Sequence, residues 1–197
     1  MNKLLVKILS SLIIIFRIVS VFLDINTKSF SWSIYNYGFN EIGNDYYLMS
    51  IASYVYLLSA VVLLISLFCV KKQRKLLTVS IAGILLASVI EIIVYFLFQR
   101  VNMFVPSLII RAGSLFLGSL SILVCLIVAE IKGRNIITLK IASIFAIVLY
   151  LIYCIWQGLN NQSINLTLDL SYILNFLIYS FVCDINKDNQ KQFCVKT

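Results

Sequence analysis

The chain has no histidine, a single proline, and only 8 acidic residues among its 197. Without imidazole, the nitrogen half of most zinc and haem sites is missing, and so is the side chain that most often moves protons near neutral pH. The five cysteines, Cys69, Cys125, Cys154, Cys183 and Cys194, form no CxxC pair, so neither a metal site nor a cofactor is expected. They read as small apolar side chains and free thiols. There is no GxSxG sequence and no Gly-rich phosphate loop, which removes the common signatures of nucleophilic hydrolysis and nucleotide binding. Long polar stretches are also missing, which leaves no room for a separate soluble domain.

What is present is apolar. Hydrophobic residues make up 61% of the chain, charged residues 12%, and the mean hydropathy is +1.00. A soluble domain has about 25% charged residues. Six apolar runs, at roughly 4–23, 47–70, 76–98, 103–129, 136–156 and 164–183, are each long enough to cross about 30 Å of hydrocarbon as a helix. Their continuous Leu, Ile and Val stretches lack the alternation of barrel strands. The expected fold class is all-α, a polytopic integral membrane bundle of six transmembrane helices that form one domain over residues 1–183.

Sixteen Lys and Arg against 8 Asp and Glu give a net charge of +8. These cations fall at the ends of the apolar runs, which reads as topology and contact with anionic lipid, not as nucleic-acid binding. Lys3, Lys7, Lys71, Lys72, Arg74, Lys75, Lys132, Arg134, Lys140, Lys187, Lys191 and Lys196 occupy the termini and alternate connectors, whereas the other side has only Lys28 and Arg100. By the positive-inside rule both termini are cytoplasmic, with a short tail at 184–197. The connector 24–46 is then external. It carries Phe30, Trp32, Tyr35, Tyr37, Phe39, Tyr46 and Tyr47 and is expected as an extended or interfacial aromatic segment. Arg17 interrupts the first run and no small-residue cleavage site follows it, so that run is expected to be a retained helix. Richness in Ile, Asn and Lys suggests a bacterial plasma membrane.

Four ionisable residues lie inside the runs: Arg17, Glu91, Arg111 and Asp169. A charge at a helix centre costs about 2.5–3.5 kcal/mol even on lenient scales, so such residues turn inward and find partners. Counted at 1.5 Å per residue in alternating directions, all four lie roughly 8–12 Å beneath the same membrane boundary. Glu91–Arg111 and Arg17–Asp169 are the expected ion pairs. Gly83, Ala87, Glu91 and Tyr95 form one small-residue stripe, and Ser107, Arg111, Ser114, Gly118, Ser121 and Cys125 form another, with the two expected to face each other. Ala142, Ala146 and Tyr150 mark a packing face in the fifth run. Ser171, Asn175 and Tyr179 share a face of the sixth, with Asn175 a buried hydrogen-bonder.

Two guanidinium groups can grip a carboxylate or phosphate while the acids orient them. The expected function is therefore a binding or transport module for a small anionic or zwitterionic molecule, with Arg17, Glu91, Arg111, Asp169 and Asn175 as the ligand-binding residues. In size and number of spans the chain is similar to the substrate-capturing membrane subunits of vitamin uptake systems, an architectural likeness that implies a partner membrane protein or energising subunit. The alternative is an accessory, assembly or immunity-type protein with purely structural charges. An intramembrane enzyme using Glu91 or a cysteine ranks third. Arg111→Ala is expected to lower both detergent stability and any ligand response, and Lys72→Ala neither; equal behaviour in that comparison contradicts the assignment.

Overall fold

The computed structural model is all-helical and describes residues 3–35, 43–69, 73–97, 105–132, 136–160 and 169–179. Five long helices follow in order: α1 (Lys3–Tyr35), α2 (Gly43–Phe68), α3 (Gln73–Leu97), α4 (Val105–Lys132) and α5 (Ile136–Leu159). A sixth, α6, covers 169–179. Among the described residues, four stretches are long and apolar enough to cross a membrane: Ile51–Phe68, Arg74–Val94, Ile109–Val128 and Thr138–Leu159.

The distribution of polarity is inverted relative to a water-soluble bundle. Buried positions include Ser10, Ser59, Ser66, Ser80, Ser88, Ser119, Ser143 and Ser171. The outer surface carries Leu12, Phe16, Phe22, Leu58, Phe68, Phe96, Ile141, Ile155 and many similar side chains. Water would make that surface an aggregation liability, but hydrocarbon makes it neutral and forces polar atoms inward. Seven serines are satisfied on their own helix. Ser59, Ser66, Ser88, Ser114, Ser119 and Ser121 each donate to the carbonyl three residues earlier, and Ser20 donates to Phe16 O four residues back at 2.8 Å. With its hydroxyl satisfied, such a side chain packs like a small apolar group.

Consecutive helices pack side by side, α1 on α2, α2 on α3, α3 on α4 and α4 on α5. Small residues set the closest approaches. A Cβ at Gly83 would stand 3.0 Å from Ser59 Cβ on α2, and a Cβ at Gly118 would stand 2.9 Å from Ala146 Cβ and 3.1 Å from its Cα on α5. The two stripes expected to face each other therefore divide their work: the Gly83 face serves α2, the Gly118 face serves α5, and α3 meets α4 through Glu91 and Arg111. The reason is steric. A glycine lets backbones approach only where the opposing residue is also small, and Ser59 and Ala146 meet that requirement.

The short α6 is the central element. Of its eleven residues only Leu170 is exposed. Tyr172 touches α1 through Arg17, α2 through Tyr56 and α5 through Tyr150. Tyr179 bonds to Ser80 of α3 at 2.7 Å, and Phe176 lies where α4 presents Gly118.

One boundary differs markedly from expectation. The aromatic connector over 24–46, expected as an extended or interfacial segment, is helical through Tyr35, and α2 begins at Gly43. Residues 36–42 lie outside the described residues. Apolarity ends near Leu23, but between there and Tyr37 the chain has neither Pro nor Gly, and polar residues alone do not stop a helix whose backbone bonds continue. The tail expected at 184–197 also lies outside the described residues.

The Gly118 contact gives a direct test. Gly118→Leu is expected to force α4 and α5 apart and lower stability by about 1–3 kcal/mol. Gly113, on the same helix, has nothing within 4 Å of the point where an alanine methyl would stand, and should accept Ala without loss. Thermal unfolding in detergent, followed by circular dichroism, checks the pair; equal midpoints would contradict the packing.

Candidate functional site

Every helix of the bundle contributes a polar or charged side chain to one interior cluster: Arg17 from α1, Tyr56 from α2, Glu91 from α3, Arg111 from α4, Tyr150 from α5, and Asp169 with Tyr172 from α6. All of these except Arg111 are buried; Arg17 is 1% exposed, Glu91 3% and Asp169 5%. The four ionisable groups thus point into the protein and away from the lipid-facing surface, as their cost in hydrocarbon requires.

Arg111 Nη2 donates to Glu91 Oε1 at 2.8 Å, closing an ion pair between α3 and α4. The pair is half used. Glu91 Oε2 and Arg111 Nε are buried with no hydrogen-bond partner. Across the cluster, Asp169 Oδ1 accepts from the Tyr150 hydroxyl at 2.7 Å. A carboxylate receiving a phenolic proton in a dry interior makes a short, strong hydrogen bond.

Arg17 does not form the expected ion pair with Asp169. Its guanidinium carbon sits 4.3 Å from the centroid of the Tyr172 ring, and Nε, Nη1 and Nη2 are all buried without a hydrogen-bond partner. Tyr172 lies one helical turn beyond Asp169 and offers the planar cation a ring face, while Tyr150 claims the carboxylate. A desolvated cation–π contact is worth about 2 kcal/mol, which does not offset the loss of hydration by a charge with five unused N–H donors.

The tyrosines form the walls. Tyr56 meets Tyr172 edge-on with centroids 5.4 Å apart, and Tyr150 meets Tyr172 at 5.4 Å and Tyr153 at 5.3 Å. Tyr56 lies within electrostatic range of Glu91, Arg111 and Arg17. Its hydroxyl is buried and has no partner. Asn175, 1% exposed, lies one turn further along α6 than Tyr172, with its Oδ1 likewise without a partner.

Sequence alone does not single out Tyr56 and Tyr172, and it places Tyr150 only in a packing stripe. A usable signal exists. Tyrosine favours the membrane interface, so one in mid-span must have its hydroxyl or ring face engaged by another polar group. A cavity of about 280 Å³ lies elsewhere, lined by Lys7, Ile8, Ser11, Leu12 and Phe68. Its α1 residues lie roughly one to three turns before Arg17 on that helix, and it shares no residue with the cluster. Among the described residues no group of His, Cys, Asp or Glu is placed to hold a metal ion.

The Glu91–Arg111 bond predicts coupling. Glu91→Gln and Arg111→Gln should each destabilise the protein more than half as much as the double variant does, with an interaction energy of about 1–3 kcal/mol in thermal unfolding. Additive losses would show that the pair is not energetically joined. No family model, no curated protein and no solved structure matches the chain.

Proposed function

We propose that the chain is a multi-pass membrane protein whose interior cluster receives a small anionic or zwitterionic molecule, acting as a binding or transport module with a partner membrane protein. The observation that carries this reading is Arg17: a fully buried guanidinium with three nitrogens that bond to no protein atom. A bundle selected only for stability gains by replacing such a group with an apolar one. A group that grips a carboxylate or phosphate must keep its donors unspent. The cluster is enclosed, so entry requires the helices to part, as expected of a module that captures and then occludes its ligand. In this reading α1 and α6 also cross the bilayer, giving six spans with both termini cytoplasmic in a bacterial plasma membrane.

A second reading is favoured by the two bonds already closed. Glu91–Arg111 and Tyr150–Asp169 each tie neighbouring helices together. They support an accessory or assembly protein in which the cluster serves only to fix helix register.

Arg17→Met separates the two. The substitution keeps an unbranched, flexible side chain and removes the charge, giving up the cation–π contact but relieving an uncompensated ion. On the ligand reading the purified variant unfolds at the same temperature as wild type or higher, and loses the thermal shift that wild type shows with acetate, phosphate or an α-amino acid. A large loss of stability, with no wild-type shift for any of these probes, supports the structural role and contradicts the proposal.

A further inference from the structure

We infer that the occupant of the cluster is a small zwitterion, with its carboxylate on Arg17 and its cationic group on Glu91 beside the Tyr56 hydroxyl. The inference rests on the reading of the cluster as a ligand site and narrows the class of ligand. Its first support is the balance of charge. Arg17 and Arg111 carry two positive charges and Glu91 and Asp169 two negative, so the cluster is neutral when all are ionised. A simple anion would leave a net negative charge in a dry interior; a molecule with no net charge leaves the balance intact.

The second support is the polarity of the unused bonding groups. Arg17 has all three nitrogens free and Arg111 has Nε, which are donors for a carboxylate. Glu91 Oε2 is free and accepts only, and the Tyr56 hydroxyl is free in both senses. An anion would satisfy the first set and leave Glu91 Oε2 stranded. A cation would do the reverse. A molecule with both poles satisfies both sets. Tyr56 lies within electrostatic range of both Glu91 and Arg17, the two groups proposed to hold the poles. The aromatic ring of Tyr56, packed edge-on with Tyr172 at 5.4 Å, gives an ammonium or methylated ammonium a wall it finds favourable.

The test uses the full chain in lipid nanodiscs, with binding read by calorimetry and by thermal shift. The probes are the twenty α-amino acids and trimethylglycine, set against matched molecules lacking one pole: propionate and 4-methylpentanoate, ethylamine and 3-methylbutylamine. At least one zwitterion should bind 10-fold or more tightly than either of its single-pole analogues. Tyr56→Phe removes a hydroxyl that bonds to nothing in the protein, so it should fold as wild type does while weakening the zwitterion by roughly 3- to 10-fold. Glu91→Gln should weaken it further and bring its affinity down to that of the bare carboxylate. Carboxylates that bind as tightly as zwitterions would overturn the inference and leave the ligand site standing. Unchanged affinity in Tyr56→Phe would overturn the placement of the cationic pole. Silence toward every zwitterion would overturn the inference outright, and the response of Arg17 to acetate and phosphate then decides the broader reading separately.

Discussion

A polar atom in hydrocarbon has no solvent to fall back on, so whatever bonds it makes must come from the protein or from something the protein encloses. That constraint organises this molecule at two scales. Along α1, α2, α3 and α4 it turns serine hydroxyls back onto the carbonyl a turn earlier, which frees their small side chains for close packing. Across the bundle it draws the ionisable groups of four helices toward the axis, where tyrosines from α2, α5 and α6 surround them. The cluster is incompletely satisfied, and the shortfall is concentrated on one side chain, Arg17.

The position of α6 follows from the same constraint. Its polar residues Asp169, Ser171, Tyr172, Asn175 and Tyr179 are all buried. Such side chains are costly at the lipid boundary, and the helix sits inward among the others. Tyr172 then acts as the common surface on which Arg17, Tyr56 and Tyr150 converge. The glycines at 83 and 118 bring α2 to α3 and α4 to α5 into close approach on either side of the α3–α4 pair.

Much of this is legible in the sequence, and the part that is not has a physical explanation. Apolar run length locates the helices because spanning requires it, and the cost of charge points to Arg17, Glu91, Arg111 and Asp169 as inward-facing. The Glu91–Arg111 bond follows from their places on neighbouring helices. Hydropathy does not mark the end of α1, because backbone bonding continues past Leu23 in polar sequence that has no breaker. Nor does spacing decide which small face meets which, since Gly83 and Gly118 each need a small opposite number that only three-dimensional packing selects. The Arg17–Asp169 pairing fails because charge complementarity ignores competitors: Tyr150 holds the carboxylate, and the ring of Tyr172 holds the cation.

Ser80 has a single hydroxyl proton, and it is committed to Ser59 O at 2.7 Å. The phenol of Tyr179 must therefore be the donor in the second bond, and the Ser80 hydroxyl both donates and accepts, joining α2, α3 and α6 at one point. That latch lies ten residues, about 15 Å, along α6 from Asp169. Sliding or rotating α6 would break the Tyr179 bond, whereas tilting it about the latch would keep that bond and open the Tyr150–Asp169 bond at the far end. The inner helix thus resembles a lever with its fulcrum at Ser80 and its far arm held in the cluster by Tyr150.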